Sequence, residues 1–283
     1  MSTYEQFVQF GVDSFGLERT LRLLQSLAHI ALSTPLPALP LPAADLLTLR
    51  STLNLTRRVI RTFRFLACFS AAQALYAGGA TTPLSLESWL DVTKLTLLGL
   101  YGLLETVTIP DMAGVEVFGG EADRRINLEA QRFWFLALVC GVVGGLLRIL
   151  TLEAHGAVPA TGAGYAAAGA DDEDTKGEKV VREGERDELK AEMEKAAEGK
   201  KGPKAGKAAV AEEERRKSGE QRRALVRKVA ADAVDMVLPV SVLGWADVDP
   251  AVVGLAMFVS TLVSGYDVWK GLGAQMRANG AKA

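Results

Sequence analysis

The sequence predicts an all-α integral membrane protein with N-terminal amphipathic helices, two borderline transmembrane helices and a long, charged, disordered linker. Three observations predict it: apolar residues recur at helical spacing, two long stretches lack charge, and nearly half of all charges fall in one segment. No stretch alternates apolar and polar residues with a period of two, the pattern that would indicate a strand.

The charge is distributed unevenly along the 283 residues. The whole chain has 32 Lys/Arg and 34 Asp/Glu, and residues 171–223 alone hold 15 and 16 of them. This segment has no aromatic residue and few branched apolar ones, so it cannot bury enough surface to offset the entropy of ordering. We therefore predict a disordered charged linker over residues 153–223. The net charge of −2 excludes a globally basic protein, and we expect no nucleic-acid partner.

The counts of reactive residues speak against a catalytic or metal centre. The chain has two cysteines and two histidines, too few for a disulfide scaffold or for the usual zinc site. Phosphate-binding glycine loops, the HExxH motif and the GxSxG motif are absent from the sequence. We expect no enzyme activity, no cofactor and no metal.

The N-terminal segment, residues 1–34, is predicted to contain an amphipathic helix over residues 15–32. Leucines and alanines at spacings of three and four form one face, and Glu18, Arg22, Gln25 and His29 form the other. Four prolines in eight residues then predict an extended, Pro-rich connector over residues 35–44.

The next segment, residues 45–79, is predicted to be a basic amphipathic helix that binds a membrane. Its arginines follow one helix face, and residues 46–86 contain no acid. An arginine-only polar face opposite a wide apolar face is typical of helices lying in an anionic membrane surface. The alternative is a bundle helix whose arginines meet acids elsewhere. The predicted membrane-binding residues are Arg50, Arg57, Arg58, Arg61, Arg64, Leu53, Ile60, Phe63 and Leu66.

Two apolar stretches are candidate membrane spans. The helical region 80–152 contains the first, residues 133–152, and the C-terminal helical region 224–283 contains the second, residues 250–269. Gly141 and Gly145 form a GxxxG motif in the first span, which predicts a close helix–helix contact. Because each uncharged run is short for a bilayer, a soluble helical bundle is the alternative.

Several stretches resemble, in order and spacing, the peroxisomal biogenesis factor 11 family of membrane proteins. LRLLQSL at residues 21–27 resembles its first-helix motif, TRRVIRTFRFL at 56–66 its basic amphipathic helix, and YGLLE at 101–105 its Tyr-x-Leu-x-acidic segment. The C-terminal run is the most specific, with VLPVSVLGWA at 237–246, VGLAMFVSTL at 253–262 and YDVW at 266–269.

The resemblance implies a protein of the peroxisomal membrane that promotes proliferation and fission of the organelle. Family members elongate the membrane by inserting an amphipathic helix into its cytosolic leaflet, self-associate and help to recruit fission machinery. The partners expected on this basis are anionic membrane lipids, further copies of the chain and the fission machinery. Two alternatives stand beside this function: a pore for small metabolites, lined by the polar faces of residues 15–32 and 86–109, and a soluble helical scaffold.

Overall fold

The structure, a computed structural model, describes residues 2–34, 41–78, 84–157 and 203–280. Every regular element in these ranges is a helix, which confirms the predicted all-α class. Contacts divide the chain into two compact units, one of residues 1–150 with 224–283 and one of residues 151–223. In the described ranges the helices are α1 (Thr3–Val12), α2 (Ser14–Ser33), α3 (Ala43–Ile60), α4 (Arg64–Gly78), α5 (Leu86–Val107), α6 (Ile109–Met112), α7 (Gly120–Ala157), α8 (Pro203–Asp235), α9 (Val237–Leu243) and α10 (Pro250–Gly280).

Side chains just before the helices fix where several of them begin. Ser2 and Glu5 form a reciprocal capping box at the start of α1, and the Asp13 carboxylate accepts from the backbone N–H groups of the first turn of α2. Ser85 caps α5 in the same way. Helix α10 begins at Pro250. Proline is favoured in the first turn of a helix, where its missing N–H group would have no partner within the helix.

The segment predicted as one basic helix is divided into α3 and α4 by a turn at residues 61–63. The N–H of Arg61 is shared between the carbonyls of Arg57 and Arg58. The hydrogen bonds thus change from the α-helical to the tighter 3₁₀ spacing, and α3 ends there. The Thr62 carbonyl then accepts a hydrogen bond from the Thr106 hydroxyl of α5 at 2.9 Å. A neighbouring helix thereby satisfies a carbonyl that continuous helix would have paired internally.

In the unit of residues 1–150 and 224–283, α2 occupies the centre of the packing. It lies against α3 and α10, while α1 contacts both α2 and α10. Helix α4 packs along α5. This arrangement brings the polar face of α2 and the arginines of α3 to the same interior region.

In the unit of residues 151–223, the structure differs from the predicted disordered linker. Residues 203–223 are the first part of α8, because this stretch is rich in strong helix formers and carries an i,i+4 pair between Glu213 and Lys217 at 2.8 Å. Arg222 donates from Nε and Nη2 to Glu153 Oε1 at 3.1 and 2.8 Å. Residues 158–202 of the predicted linker, and residues 35–40 of the Pro-rich connector, lie outside the described residues.

Candidate functional site

A buried ion pair joins α2 to α3. Glu18 is 2% exposed and Arg57 is 6% exposed. Arg57 donates from Nε at 3.1 Å and from Nη2 at 2.7 Å to the same oxygen, Glu18 Oε1, and its Nη1 donates to the side chain of Gln25. Several hydrogen bonds on each charge offset the loss of hydration, which a single contact would not do.

A second buried carboxylate, Glu105 on α5, is contacted by Arg58 and Arg61. Arg61 Nη2 donates to Glu105 Oε2 at 2.9 Å, and Arg58 Nε lies 3.5 Å from Glu105 Oε1. Arg58 also donates to the Thr108 hydroxyl at 2.8 Å. Because Arg61 Nη1 lies 3.7 Å from Glu18 Oε1 as well, the two carboxylates belong to one cluster that ties α2, α3 and α5 together.

The cluster keeps Glu18 and Arg57 ionised at neutral pH. Burial by itself raises the pKa of Glu18, but the charges of Arg19, Arg57 and Arg61 outweigh burial and hold this pKa well below its usual range. Burial lowers the pKa of Arg57 to about 10, which leaves the guanidinium protonated. Burial, together with the Glu105 charge, raises the pKa of Tyr101 to about 12, so its hydroxyl keeps its proton.

Two further ion pairs extend the polar interior toward α8. Arg22 on α2 pairs with Asp235 and lies 3.4 Å from the Ser260 hydroxyl of α10. Lys94 on α5 pairs with Asp232. The polar faces of α2 and α5 are therefore turned toward the inside of the bundle.

The remaining arginines of this region lack such close carboxylate partners. Arg64 lies over the ring of Phe15, with 4.1 Å from Cζ to the ring centroid, a cation–π distance. Within the described ranges Arg19 has one carboxylate contact, 3.6 Å from its Nη1 to Glu18 Oε2. Arg50 has no ion-pair partner in the described part of the chain. All of these arginines line one partly open cavity of about 660 Å³.

The outer surface of α3 and α4 has the opposite character. From residue 46 to residue 78 no exposed residue is charged, and every arginine in this range is buried or half-buried. Phe63 is 74% exposed and Leu66 54%. The helices thus place their arginines inside and expose only uncharged side chains, which are apolar residues together with some Ser, Thr and Gln residues. Charged residues on the inside are the reverse of what a water-soluble bundle shows.

This arrangement corrects the predicted orientation of the arginine face. Arg57 and Arg58 are buried and Arg61 is half-buried in ion pairs, so these three do not point toward a lipid surface. Their contacts agree with the alternative interpretation, in which the arginines of a bundle helix pair with acids on other helices. Of the predicted apolar wedge, Leu53 is buried, Ile60 is half-buried, and Phe63 and Leu66 are exposed.

Two helices in the described ranges are long and apolar enough to cross a membrane. They cover Gly120–Ala154 and Pro250–Ala278, and only 17% and 22% of their apolar windows are buried inside the protein. Both predicted spans lie within them. The exposed residues between positions 133 and 150 are apolar without exception: Leu136, Val143, Leu146 and Leu150.

The glycines of the predicted GxxxG motif make close approaches within the chain. A Cβ atom at Gly145 would lie 2.3 Å from Cγ2 of Val229 on α8, and one at Gly141 would lie 2.3 Å from Nζ of Lys94. Both glycines therefore lie where a side chain on another helix leaves no room for a methyl group. Use of the motif between copies of the chain stays a prediction.

Sequence reasoning missed the role of Glu18 and Glu105. The sequence places Glu18 on the polar face of an amphipathic helix, and it indicates no more for Glu105 than a polar group at a helix end or an interface. The available signal was the arginine excess of residues 45–79, since buried cations require carboxylates. Glu18 is the only acid within α2, but α5 contains Glu87 and Asp91 as well as Glu105, so the sequence does not single out Glu105.

The comparison with protein families decides the assignment. The family described as peroxisomal biogenesis factor 11 (PEX11) matches residues 4–269, nearly the whole chain. The chain belongs to this family. No match was found among curated proteins or among solved structures.

Membership places the protein in the peroxisomal membrane, with a role in peroxisome biogenesis and proliferation. The two long apolar helices and the uncharged outer surface of α3 and α4 fit this location. The soluble-scaffold alternative does not fit a family of peroxisomal membrane proteins. The family is one of biogenesis factors, not of known enzymes.

Proposed function

We propose that this protein elongates the peroxisomal membrane, and so promotes proliferation and fission, by inserting the outer apolar face of α3 and α4 into one leaflet. The observation behind the proposal is that residues 46–78 expose no charged side chain. A surface of this kind is stable in the headgroup–acyl boundary and unfavourable in water.

The ion pairs of the interior favour apolar burial as the force that drives insertion. Because Arg57, Arg58 and Arg61 already have carboxylate partners, they have little charge left over for lipid phosphates. Burial of apolar side chains then supplies most of the binding free energy, on the order of 2 kcal/mol for a side chain such as Phe63. We expect insertion into neutral as well as anionic membranes. Anionic lipids should contribute less to the binding free energy than the arginine pattern of the sequence indicates.

Insertion into a single leaflet expands that leaflet alone. An amphipathic surface lies about 5–10 Å deep, at the level of the upper acyl chains, while α7 and α10 are long enough to hold the protein in the bilayer. The area mismatch between the leaflets favours a curved, tubular membrane.

The full chain, reconstituted into phosphatidylcholine vesicles, tests this proposal by electron microscopy. We expect tubules with the wild type and their loss with the double variant Phe63→Gln/Leu66→Gln, which removes about 3 kcal/mol of apolar burial. The matched control is Val115→Gln/Val117→Gln, since these two valines are also exposed but lie outside α3 and α4. Tubules of equal number with Phe63→Gln/Leu66→Gln would reject the insertion mechanism.

The partly open cavity favours a second candidate, passage of small solutes. The polar faces of α2 and α5 line it, as the pore alternative requires. Purified full-length chain in a planar bilayer should then carry current. Absence of current from protein that still tubulates vesicles would exclude the pore and leave membrane elongation standing.

Self-association and recruitment of fission machinery are part of the same proposal. Both follow from the family resemblance, and the apolar exposed positions of α7 and α10 offer surface for contacts between copies in the bilayer. Chemical crosslinking of full-length chain in native membranes tests the first of them.

A further inference from the structure

Helix α1 turns its apolar side chains away from the protein. Exposed apolar residues recur along it at spacings of three and four, so they form one stripe on the helix surface: Tyr4, Phe7, Val8 and Val12. Phe7 is 65% exposed and Val12 75%. The stripe is therefore open to whatever surrounds the protein.

The opposite side of α1 contacts α10. Gln6 Nε2 donates to the backbone carbonyl of Trp269 at 2.8 Å, and the ring centroids of Phe10 and Trp269 lie 5.7 Å apart. Gln6 also covers Gly273, where a Cβ atom would lie 2.7 Å from the Gln6 Nε2. Gln6 and Phe10 are four residues apart and share the face opposite the stripe. A polar side chain directed inward beneath an outward apolar stripe is the reverse of a helix on a water-soluble protein.

These contacts set the level of α1 relative to a membrane. The uncharged run of α10 ends at Tyr266, which is exposed, and Trp269 and Lys270 follow in the next turn. Aromatic and basic residues at the end of an apolar helix lie at the headgroup level of a bilayer. Helix α10 is long and apolar enough to cross a membrane, and the contacts described above fall at its residues 269–273. A bilayer crossed by α10 therefore has α1 at its headgroup level.

Lipid fits this stripe better than a protein partner does. Helix α1 contains no basic residue, and its one charged side chain, Glu5, accepts a hydrogen bond from the Ser2 N–H at 3.1 Å at the start of the helix. The stripe thus lacks the charges that usually select a protein partner and fix its register. At the headgroup level, acyl chains are present around every copy of the protein. An apolar helix face at this level is typical of helices that lie in the headgroup–acyl boundary.

The stripe also lies close to the outer surface of α3 and α4. Phe15 follows the last residue of α1 by three positions, and its side chain is exposed. Arg64, the first residue of α4, lies over the Phe15 ring with 4.1 Å from Cζ to the ring centroid. Phe63, the residue before Arg64, is exposed as well. The end of α1 and the start of α4 therefore lie at the same end of α2, so α1 adjoins the surface proposed to insert.

We propose that α1 is a second membrane-inserting helix, and that its stripe lies among the upper acyl chains next to the surface of α3 and α4. Helix α10 holds α1 at this depth through Trp269 and Gly273. Because the stripe carries no basic residue, its partner is the apolar part of the lipid, and no anionic headgroup is required. The proposal goes beyond the proposed function, since insertion of α1 depends neither on insertion of α3 and α4 nor on tubulation.

Spin labels on the full chain in phosphatidylcholine vesicles test the proposal. In a Cys68→Ala/Cys140→Ala background, single cysteines for labelling are introduced along the stripe by Tyr4→Cys, Phe7→Cys, Val8→Cys and Val12→Cys. Electron paramagnetic resonance compares collisions of each label with oxygen, which concentrates among acyl chains, and with a nickel chelate, which stays in water. We expect oxygen collisions to exceed nickel collisions at these positions, at a depth of about 5–10 Å.

The matched control is Gln9→Cys, because Gln9 is exposed on the same helix but lies outside the stripe, and there nickel collisions should exceed oxygen collisions. Circular dichroism confirms that each labelled protein is folded. An excess of nickel collisions at Phe7 and Val8 would show that the stripe faces water and would overturn the proposal. Few collisions with either reagent would overturn it as well, since a second copy or another protein would then cover the stripe. Tubulation of the vesicles is scored separately, so a failure of α1 to insert is distinguishable from a failure of α3 and α4.

Discussion

Glu18 Oε1 accepts two hydrogen bonds from Arg57, although 39 residues separate the two in sequence. The pair connects the second turn of α2 to the last turn of α3 in the interior of the bundle. Removal of one partner from a buried pair leaves the other charge without compensation, and this is more damaging than loss of the pair as a whole.

The substitution Glu18→Gln is expected to lower the free energy of unfolding by about 3–5 kcal/mol. It keeps the size of the side chain but leaves Arg57 and Arg61 beside a neutral amide. Chemical unfolding of the full chain in detergent, followed by circular dichroism, measures the loss. The control is Glu129→Gln, whose partner Arg132 is half exposed, and there we expect less than about 1 kcal/mol. Equal losses in the two variants would contradict a central role for the Glu18 pair.

Stability is expected to fall in acid through the same residue. The folded-state pKa of Glu18 lies below its ordinary value of 4.5, so its contribution is present above pH 4.5 and is lost as the pH falls below that value. The unfolding midpoint of the wild type should drop between about pH 5 and pH 3. Glu18→Gln has no such proton to bind and should show a flatter profile over this range. Parallel profiles for both proteins would show that other groups govern acid unfolding.

Helix α7 has two adjacent glycines, Gly144 and Gly145, and it approaches α8 closely at Gly145. A Cβ atom at Gly145 would meet Cγ2 of Val229 at 2.3 Å, whereas one at Gly144 would meet Cβ of Leu90 at 3.5 Å, an ordinary contact. We expect Gly145→Ala to destabilise the protein by about 1–3 kcal/mol and Gly144→Ala to have little effect. The two unfolding midpoints, compared in one detergent, check this difference. The double variant Gly145→Ala/Val229→Ala makes room for the new methyl group and should recover part of the loss.

Helix α4 approaches α5 through the ring of Phe69. A Cβ atom at Gly99 would lie 2.5–2.8 Å from three atoms of that ring, so Gly99→Ala should force α4 and α5 apart and lower the unfolding midpoint. Gly11→Ala is the control, since nothing lies within 4 Å of its Cβ position, and alanine there should be neutral or mildly stabilising. If Gly99→Ala unfolded at the same midpoint as the wild type, the ring of Phe69 would be able to move aside.

The positions of some helices were predictable from sequence because apolar periodicity and the chemistry of helix ends are local properties. The range predicted for α2, residues 15–32, differs from Ser14–Ser33 by one residue at each end. The start of α10 at Pro250 follows from the chemistry of proline at a helix start. The two candidate spans were likewise visible as uncharged runs.

The orientation of the polar faces was not predictable in this way. Periodicity tells which residues share a face of α2 or α3, but not whether that face meets water, lipid or another helix. Glu18 and Glu105 lie far in sequence from the arginines that they pair with, and only the packing of α2 and α5 around α3 brings them there. The turn at residues 61–63 depends on Thr106 of α5 and is likewise a tertiary effect.

The pairing of α3 with carboxylates on its neighbours bears on experiments with fragments. A peptide of residues 45–76 lacks Glu18 and Glu105, so its arginines become free positive charges and it presents to a vesicle a surface that the intact protein keeps inside. Such a peptide would adsorb to anionic lipid by an attraction that the whole chain does not have. Membrane binding by the isolated helix is therefore a poor measure of membrane binding by the protein.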